Sequence, residues 1–158
     1  MRLKRCGDKI VVRIDKDEEI VEIVKHVCSD NNVRLGSVNG IGSTNQVTIG
    51  LFDTGTKQYL SKELVGEYEI TNLAGNISTM NGEVYLHLHI TLSDAHYNAF
   101  GGHLNSAIVS GTCEVVIDVI EGEVDRAFSE EIGLNLYKIW ALGYRILQKI
   151  TELNQIIA

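Results

Sequence analysis

Between Arg34 and about Phe128 the chain leaves no room for a crossover helix. The segments "GSVNGIG", "QVTIGLFD", "QYLSKEL", "EYEITNLAGNI", "VYLHLHITL", "AIVSG" and "CEVVIDVI" follow one another, punctuated by Gly, Asn and Asp. Each is short and bounded by turn formers, the pattern of successive strands. Strands joined by so little chain pair antiparallel, because a parallel pair needs a connection of a dozen or more residues.

Two segments outside this run have helical spacing. "DKDEEIVEIVKHVCSDNN" sets Ile20, Ile23, Val24, Val27 and Cys28 on one stripe, with His26 on the polar side. Asp15 with Glu18 three residues on reads as an N-cap with its capping carboxylate, and "SDNN" as the stop. Towards the end, "LNLYKIWALGYRILQKITELNQIIA" carries apolar residues at Leu136, Ile139, Trp140, Tyr144, Leu147, Ile150 and Leu153. That spacing predicts a helix of about six turns over 137–158, covering a sheet face or bundling with copies of itself. The expected architecture is a single α+β domain over 1–158. A mostly antiparallel β-sheet is flanked by a helix in the N-terminal half and a long C-terminal helix.

Length and balance fit that picture. A chain of 158 residues, 44% hydrophobic, can bury one real core and is not the composition of a disordered segment. No apolar run is long enough to cross a bilayer, and "MRLKRCGDKIVV" lacks the apolar region and cleavage site of a signal peptide. A cytoplasmic location is expected. Cys6, Cys28 and Cys113 are odd in number and far apart, which argues for small buried hydrophobes over a disulfide framework. The net charge of −7 opposes nucleic-acid affinity over the whole surface. Arg2, Lys4, Arg5, Lys9 and Arg13 crowd the first thirteen residues. A solvated edge strand guarded by basic side chains explains the run better than a DNA arm. With no proline, the chain also lacks the Arg-Gly-Arg-Pro core of an AT-hook.

The histidines carry the chemistry. In "EVYLHLHITL", Val84, Leu86, Leu88, Ile90 and Leu92 take one strand face and Tyr85, His87, His89 and Thr91 the other. The apolar face belongs to the core, so His87 and His89 leave it together, their Cα atoms roughly 6.5 Å apart. Two imidazoles on that spacing can converge on one ion at about 2.0–2.1 Å, given a third ligand. His103 is the candidate. Gly101 and Gly102 before it allow a close backbone approach or positive φ, aiming the next side chain back at the strand. Three neutral imidazoles suit zinc, or less selectively nickel, copper or iron, with a fourth position open to water. The bland alternative is a polar sheet face that happens to include histidine. His96, in "SDAHYN", reads as a turn residue. "NGIGSTNQ" lacks the third glycine of a dinucleotide loop and the Gly-Lys-Ser/Thr of a P-loop, so a tightly packed strand explains it better. Glu114 and Asp118 share a strand face and read as solvated.

"GEYEITNLAGN", "VYLHLHITLSD", "FGGHL" and "CEVVI", in this order, closely resemble the PPC (plants and prokaryotes conserved) domain, a family of predicted DNA-binding proteins. The resemblance runs from about Lys9 to about Leu136, and its most specific part is H-x-H followed by G-G-H. It implies a trimer with an antiparallel sheet flanked by helices, and a metal at His87, His89 and His103. Plant members join the domain to AT-hooks and use a Gly-Arg-Phe-Glu-Ile-Leu stretch to contact partner proteins. That stretch aligns with Gly66, Glu67, Tyr68, Glu69, Ile70 and Thr71, where an acid replaces the arginine and threonine the leucine.

The expected function is a homotrimeric domain that binds a divalent metal, zinc, through these three histidines and has a DNA-associated or regulatory role. Gly66, Tyr68, Glu69 and Ile70 are the candidate partner contacts, and Arg2, Lys4 and Arg5 the candidate nucleic-acid contacts. A protein partner or small ligand would carry the regulation, since the acidic balance opposes direct DNA binding, and no membrane is involved. The alternatives are a metal-dependent enzyme that hydrolyses or hydrates a small molecule at the same site, and an interaction module whose histidines line a polar pocket. A cupin is disfavoured because "ITLS" supplies no carboxylate until Asp94.

Overall fold

The computed structural model describes residues 1–139. Its strands are β1 (Arg2–Cys6), β2 (Lys9–Asp15), β3 (Gly36–Asp53), β4 (Gln58–Met80), β5 (Glu83–Ser93), β6 (Ala99–Val119), β7 (Arg126–Ser129) and β8 (Leu134–Tyr137). The helix α1 (Ile20–Asp30) sits between β2 and β3. Every strand pair is antiparallel, as the short connections demand. Six strands run in the order β1-β2-β6-β3-β4-β5, and a further β5–β6 pairing closes the last four into a ring. β7 and β8 form a separate hairpin, joined to β4 through a Thr79–Asp125 bridge and a Thr79 N–H bond to the Val124 carbonyl at 3.0 Å.

The strands are longer than their punctuation suggests. "GSVNGIG" and "QVTIGLFD" are one strand of 18 residues, β3. "QYLSKEL" and "EYEITNLAGNI" lie in the 23-residue β4, and "AIVSG" and "CEVVIDVI" in the 21-residue β6. Register shifts between Gly40 and Gly42, Thr44 and Gln46, and Ile70 and Asn72 bend these strands without ending them. Gly75 lies where an added Cβ would collide with the His87 carbonyl on β5, so its role is close strand approach rather than a turn.

The core fills the ring and the space under α1. Ile20, Val24, Val27 and Cys28 of the helix are buried, as its stripe predicts, against β5 and β6. Glu19 caps the helix, accepting from the Glu22 N–H at 2.6 Å, and its second oxygen accepts from the Ala107 N–H on β6 at 2.8 Å. The Asp15–Glu18 pair is real but does different work. The Glu18 carboxylate accepts from the Asp15 N–H at 2.8 Å, ahead of the helix, and Asp15 is not its cap.

Three expectations need correction. The fold is not α+β with two flanking helices: among the described residues it is an antiparallel β structure with the single short helix α1. The described residues of the helix expected over 137–158 are not helical: Tyr137 ends the strand Leu134–Tyr137, which pairs with Arg126–Ser129, and Lys138 and Ile139 are not helical either. The remainder, 140–158, lies outside the described residues. Leu134 and Leu136 satisfy a period of two as well as part of a period of 3.6, and backbone pairing with β7 decides between them. Finally, Cys28 and Cys113 are buried, and burial pushes their thiols up to about 12, but Cys6 is exposed on the edge strand.

Leu73, fully buried beside the register shift in β4, reports on whether the ring is packed. Leu73→Ala is predicted to cost roughly 2–5 kcal/mol of unfolding free energy, the usual range for a buried leucine, read by urea denaturation. A loss below about 1 kcal/mol would mean that the bent strand is not packed as described.

Candidate metal centre

The ring closure sets the histidines. His89 on β5 is the cross-strand partner of His103 on β6, and on the other side β4 places Ala74 opposite His89 and Asn76 opposite His87. Strand alternation holds as the sequence predicts: Leu88, Ile90 and Leu92 are buried, while His87 and His89 stand on the opposite face. His87 and His103 are half-buried and His89 is exposed.

One ring nitrogen from each of the three lies within 4.8 Å of the others. The Nε2 atoms of His87 and His89 are 3.2 Å apart. Two nitrogens bound at about 2.0–2.1 Å on a tetrahedral ion are separated by roughly 3.3 Å, so this pair already has ligand spacing. The three ring centroids are 5.1–5.6 Å apart. Among the described residues no cysteine or carboxylate joins the cluster, and the donor set is three imidazoles. That set fits a borderline divalent ion and leaves a coordination position for a further ligand.

The glycines before His103 act by close approach. Neither Gly101 nor Gly102 has positive φ. A Cβ on Gly101 would collide with the Ile90 carbonyl, and one on Gly102 would sit 2.7 Å from the Gly50 carbonyl. β6 is therefore pressed between β5 and β3, and the next residue, His103, is carried onto the His89 face. Gly50 has a matching role, since a side chain there would strike the Tyr59 ring. That ring meets His103 edge-on at 6.2 Å between centroids, and its hydroxyl donates to Asn105 Oδ1.

Burial holds the His87 and His103 imidazolium forms down. Desolvation is the largest cause for both. The neighbouring histidines add to it, and for His87 so does the positive charge of Arg126. Both rings are thus biased towards the neutral form that ligates metal.

Arg126 escaped sequence reasoning. It is buried, 7% exposed, with its guanidinium carbon over two aromatic rings, 4.7 Å from the Tyr85 centroid and 4.3 Å from that of Tyr137. Nε donates to Ser78 Oγ at 2.7 Å, Nη1 to the Asn135 carbonyl at 2.8 Å and Nη2 to Asn76 Oδ1 at 2.8 Å. These partners are scattered over sixty residues of chain, and a lone arginine in "VDRAFS" carries no signal of them.

The remaining candidates lie elsewhere. Arg2, Lys4 and Arg5 are exposed along β1, the edge strand, away from the histidines. Tyr68 and Glu69 line an open cleft of about 490 Å³ with Ser43, Asp94 and Tyr97, a cleft that none of the three histidines lines. Gly66 has φ 149° beneath the Tyr68 ring, whereas Ile70 is core, 2% exposed, and offers no surface to a partner. His96 is a turn residue as expected, its N–H donating to Asp94 Oδ1 at 2.9 Å. No helix among the described residues is long and apolar enough to cross a membrane.

Residues 1–121 match the Plants and Prokaryotes Conserved (PCC) domain. A protein of Bacteroides thetaiotaomicron, described as a candidate DNA-binding protein, shares 40% identity over 87% of this chain and 96% of its own, with a TM-score of 0.85. A metal-containing protein of Archaeoglobus fulgidus shares 30% identity over 88% of this chain and 99% of its own, at a TM-score of 0.78. A plant- and prokaryote-conserved (PPC) protein of Pyrococcus horikoshii shares 29% over 89% and 96%, also at 0.78. Among curated proteins none matches in sequence.

The depressed titration of His87 and His103 has a direct consequence. In the unfolded chain these rings protonate near pH 6.5, while the native chain resists. Between those points the unfolded state binds more protons, so stability falls as pH falls. The metal-free protein is predicted to melt at a lower temperature at pH 5.5 than at pH 7.5. His87→Gln should flatten part of that slope. A slope unchanged in the variant would show that His87 does not titrate as described.

Proposed function

Because the chain belongs to the Plants and Prokaryotes Conserved (PCC) domain family, we propose that it is a homotrimeric domain holding one zinc ion per chain on His87, His89 and His103. One observation carries the metal reading: three imidazole nitrogens within 4.8 Å of one another, one pair already at 3.2 Å. Zinc is preferred because an all-imidazole set with a free position is its characteristic three-ligand arrangement. Bound there, it would supply a Lewis-acidic position open to one further ligand. The residues would hold the ion through preformed geometry: β-pairing sets His89 against His103, and burial biases the His87 and His103 rings towards the neutral form. The metal-containing relative from Archaeoglobus fulgidus supports the reading.

The trimer rests on the family resemblance and on apolar surface left uncovered in the single chain. Val11, Ile41 and Val116 are exposed side by side on the outer face of β2, β3 and β6. For the biological role we favour regulation through a bound ligand or protein partner. Relatives described as candidate DNA-binding proteins keep a DNA-associated setting in view, but a net charge of −7 opposes tight duplex binding by the isolated domain. A hydrolytic enzyme on the same site would want a general base beside the metal, and no carboxylate among the described residues joins the cluster.

His89→Ala is predicted to reduce bound zinc from near one per chain to under a fifth of that, measured by elemental analysis of protein purified without a histidine tag. Its circular dichroism should stay native, because His89 lies off the core. Unchanged metal content would defeat the assignment. Light scattering is predicted to give about 53 kDa, three times the 17.5 kDa chain. A mass of one chain would rule the trimer out.

A further inference from the structure

A buried cation stands beside the three histidines. Arg126 is a buried cation, and none of the ion pairs among the described residues includes it. It is held by one hydroxyl, one amide oxygen, one backbone carbonyl and two tyrosine rings, all formally neutral. Burying a charge with neutral partners alone is costly unless a counter-charge arrives. The guanidinium also stands close to the histidines. Its Nη2 is bonded to Asn76, the cross-strand partner of His87.

A divalent ion on His87, His89 and His103 would add two positive charges to this region. Among the described residues no carboxylate belongs to the cluster, so none of its ligand groups would balance that charge. Low-dielectric surroundings strengthen such a field, and it selects for anions. His89 is exposed, which leaves the cluster open to small molecules from solvent on that side.

We propose that the three-histidine site takes a small carboxylate anion as its ligand, with Arg126 the fixed second charge that selects it. The idea rests on the metal reading above and adds the class of ligand. The carboxylate would occupy the position the three imidazoles leave free, and its charge would offset that of the metal and the guanidinium together. The Tyr85 and Tyr137 rings both lie against the Arg126 guanidinium, while Ser78, Asn76 and the Asn135 carbonyl accept its hydrogen bonds. It is therefore a positioned charge and not a mobile surface arginine.

The test uses the full chain loaded with cobalt(II), whose visible bands report on the fourth ligand. Cobalt content is measured first, and failure of the wild-type protein to take up cobalt or zinc would defeat the metal reading itself. With the metal bound, acetate should shift the bands and bind at least tenfold more tightly than its neutral counterpart acetamide. Asn76→Asp sets a carboxylate against Nη2 and neutralises Arg126 without removing it. That variant should keep its metal and lose at least fivefold in acetate affinity, with acetamide unchanged. Arg126→Met should do the same if it folds, and Arg126→Lys should keep most of the affinity. Equal binding of acetate and acetamide by the wild type overturns the proposal. So does an Asn76→Asp protein that holds metal and binds acetate as the wild type does.

Discussion

The pairing of β5 with β6, from His89↔His103 to Ser93↔Ala99, is the contact on which the rest depends. Without it the sheet is an open ribbon ending at β5. With it, β6 belongs to three neighbours along its length: β5 at its start, β3 through most of its course, and β2 near its end. The closure needs residues without side chains where strands press together. A side chain at Gly101 would strike the Ile90 carbonyl, and one at Gly102 would crowd that of Gly50. The same contact that closes the core juxtaposes His89 and His103, so the candidate site is a by-product of the fold's tightest seam.

Much of this was visible in the chain. Alternation in "VYLHLHITL" assigns Leu88, Ile90 and Leu92 to the core and His87 and His89 to the other face, and the structure agrees. Antiparallel pairing and the α1 stripe also follow from spacing alone. Strand length did not, because Gly42, Gly66 and Gly111 read as punctuation while they lie within continuous strands. Bulges hide in the same way: a register shift adds a residue without leaving a compositional mark. The segment from Leu134 was ambiguous for a different reason. Four residues cannot establish a period, and the decision came from a partner strand, β7, with a weak local signal of its own.

Arg126 belongs to a class of residue that spacing cannot reveal. Its neighbours are Asn76 and Ser78 on β4, Tyr85 on β5, and Asn135 and Tyr137 on β8. Three elements from two sheets must come together before the arginine has a purpose. Each tyrosine face contributes about 0.5–2 kcal/mol to holding the cation, and the hydrogen bonds fix its direction. The result ties the β7–β8 hairpin to the polar face beside His87. A hairpin of two four-residue strands has little stability by itself, so this anchor and the Thr79 contacts to Val124 and Asp125 are what place it.

The basic run at the start of the chain shows how far a charge count can mislead until partners are known. Of its five cations, Lys9 pairs with Asp118 at 2.7 Å and Arg13 with Asp15 at 2.9 Å. That leaves Arg2, Lys4 and Arg5 on β1, every residue of which is exposed. Three exposed charges on one edge strand are enough to discourage another strand from adding to it. They are few against a chain that carries −7 overall. A duplex contact needs several phosphates neutralised together, and an edge strand spaces its outward side chains about 6.5–7 Å apart along a single line. Guarding an edge is therefore the role these residues fill best, and the candidate metal centre lies instead on the histidine face.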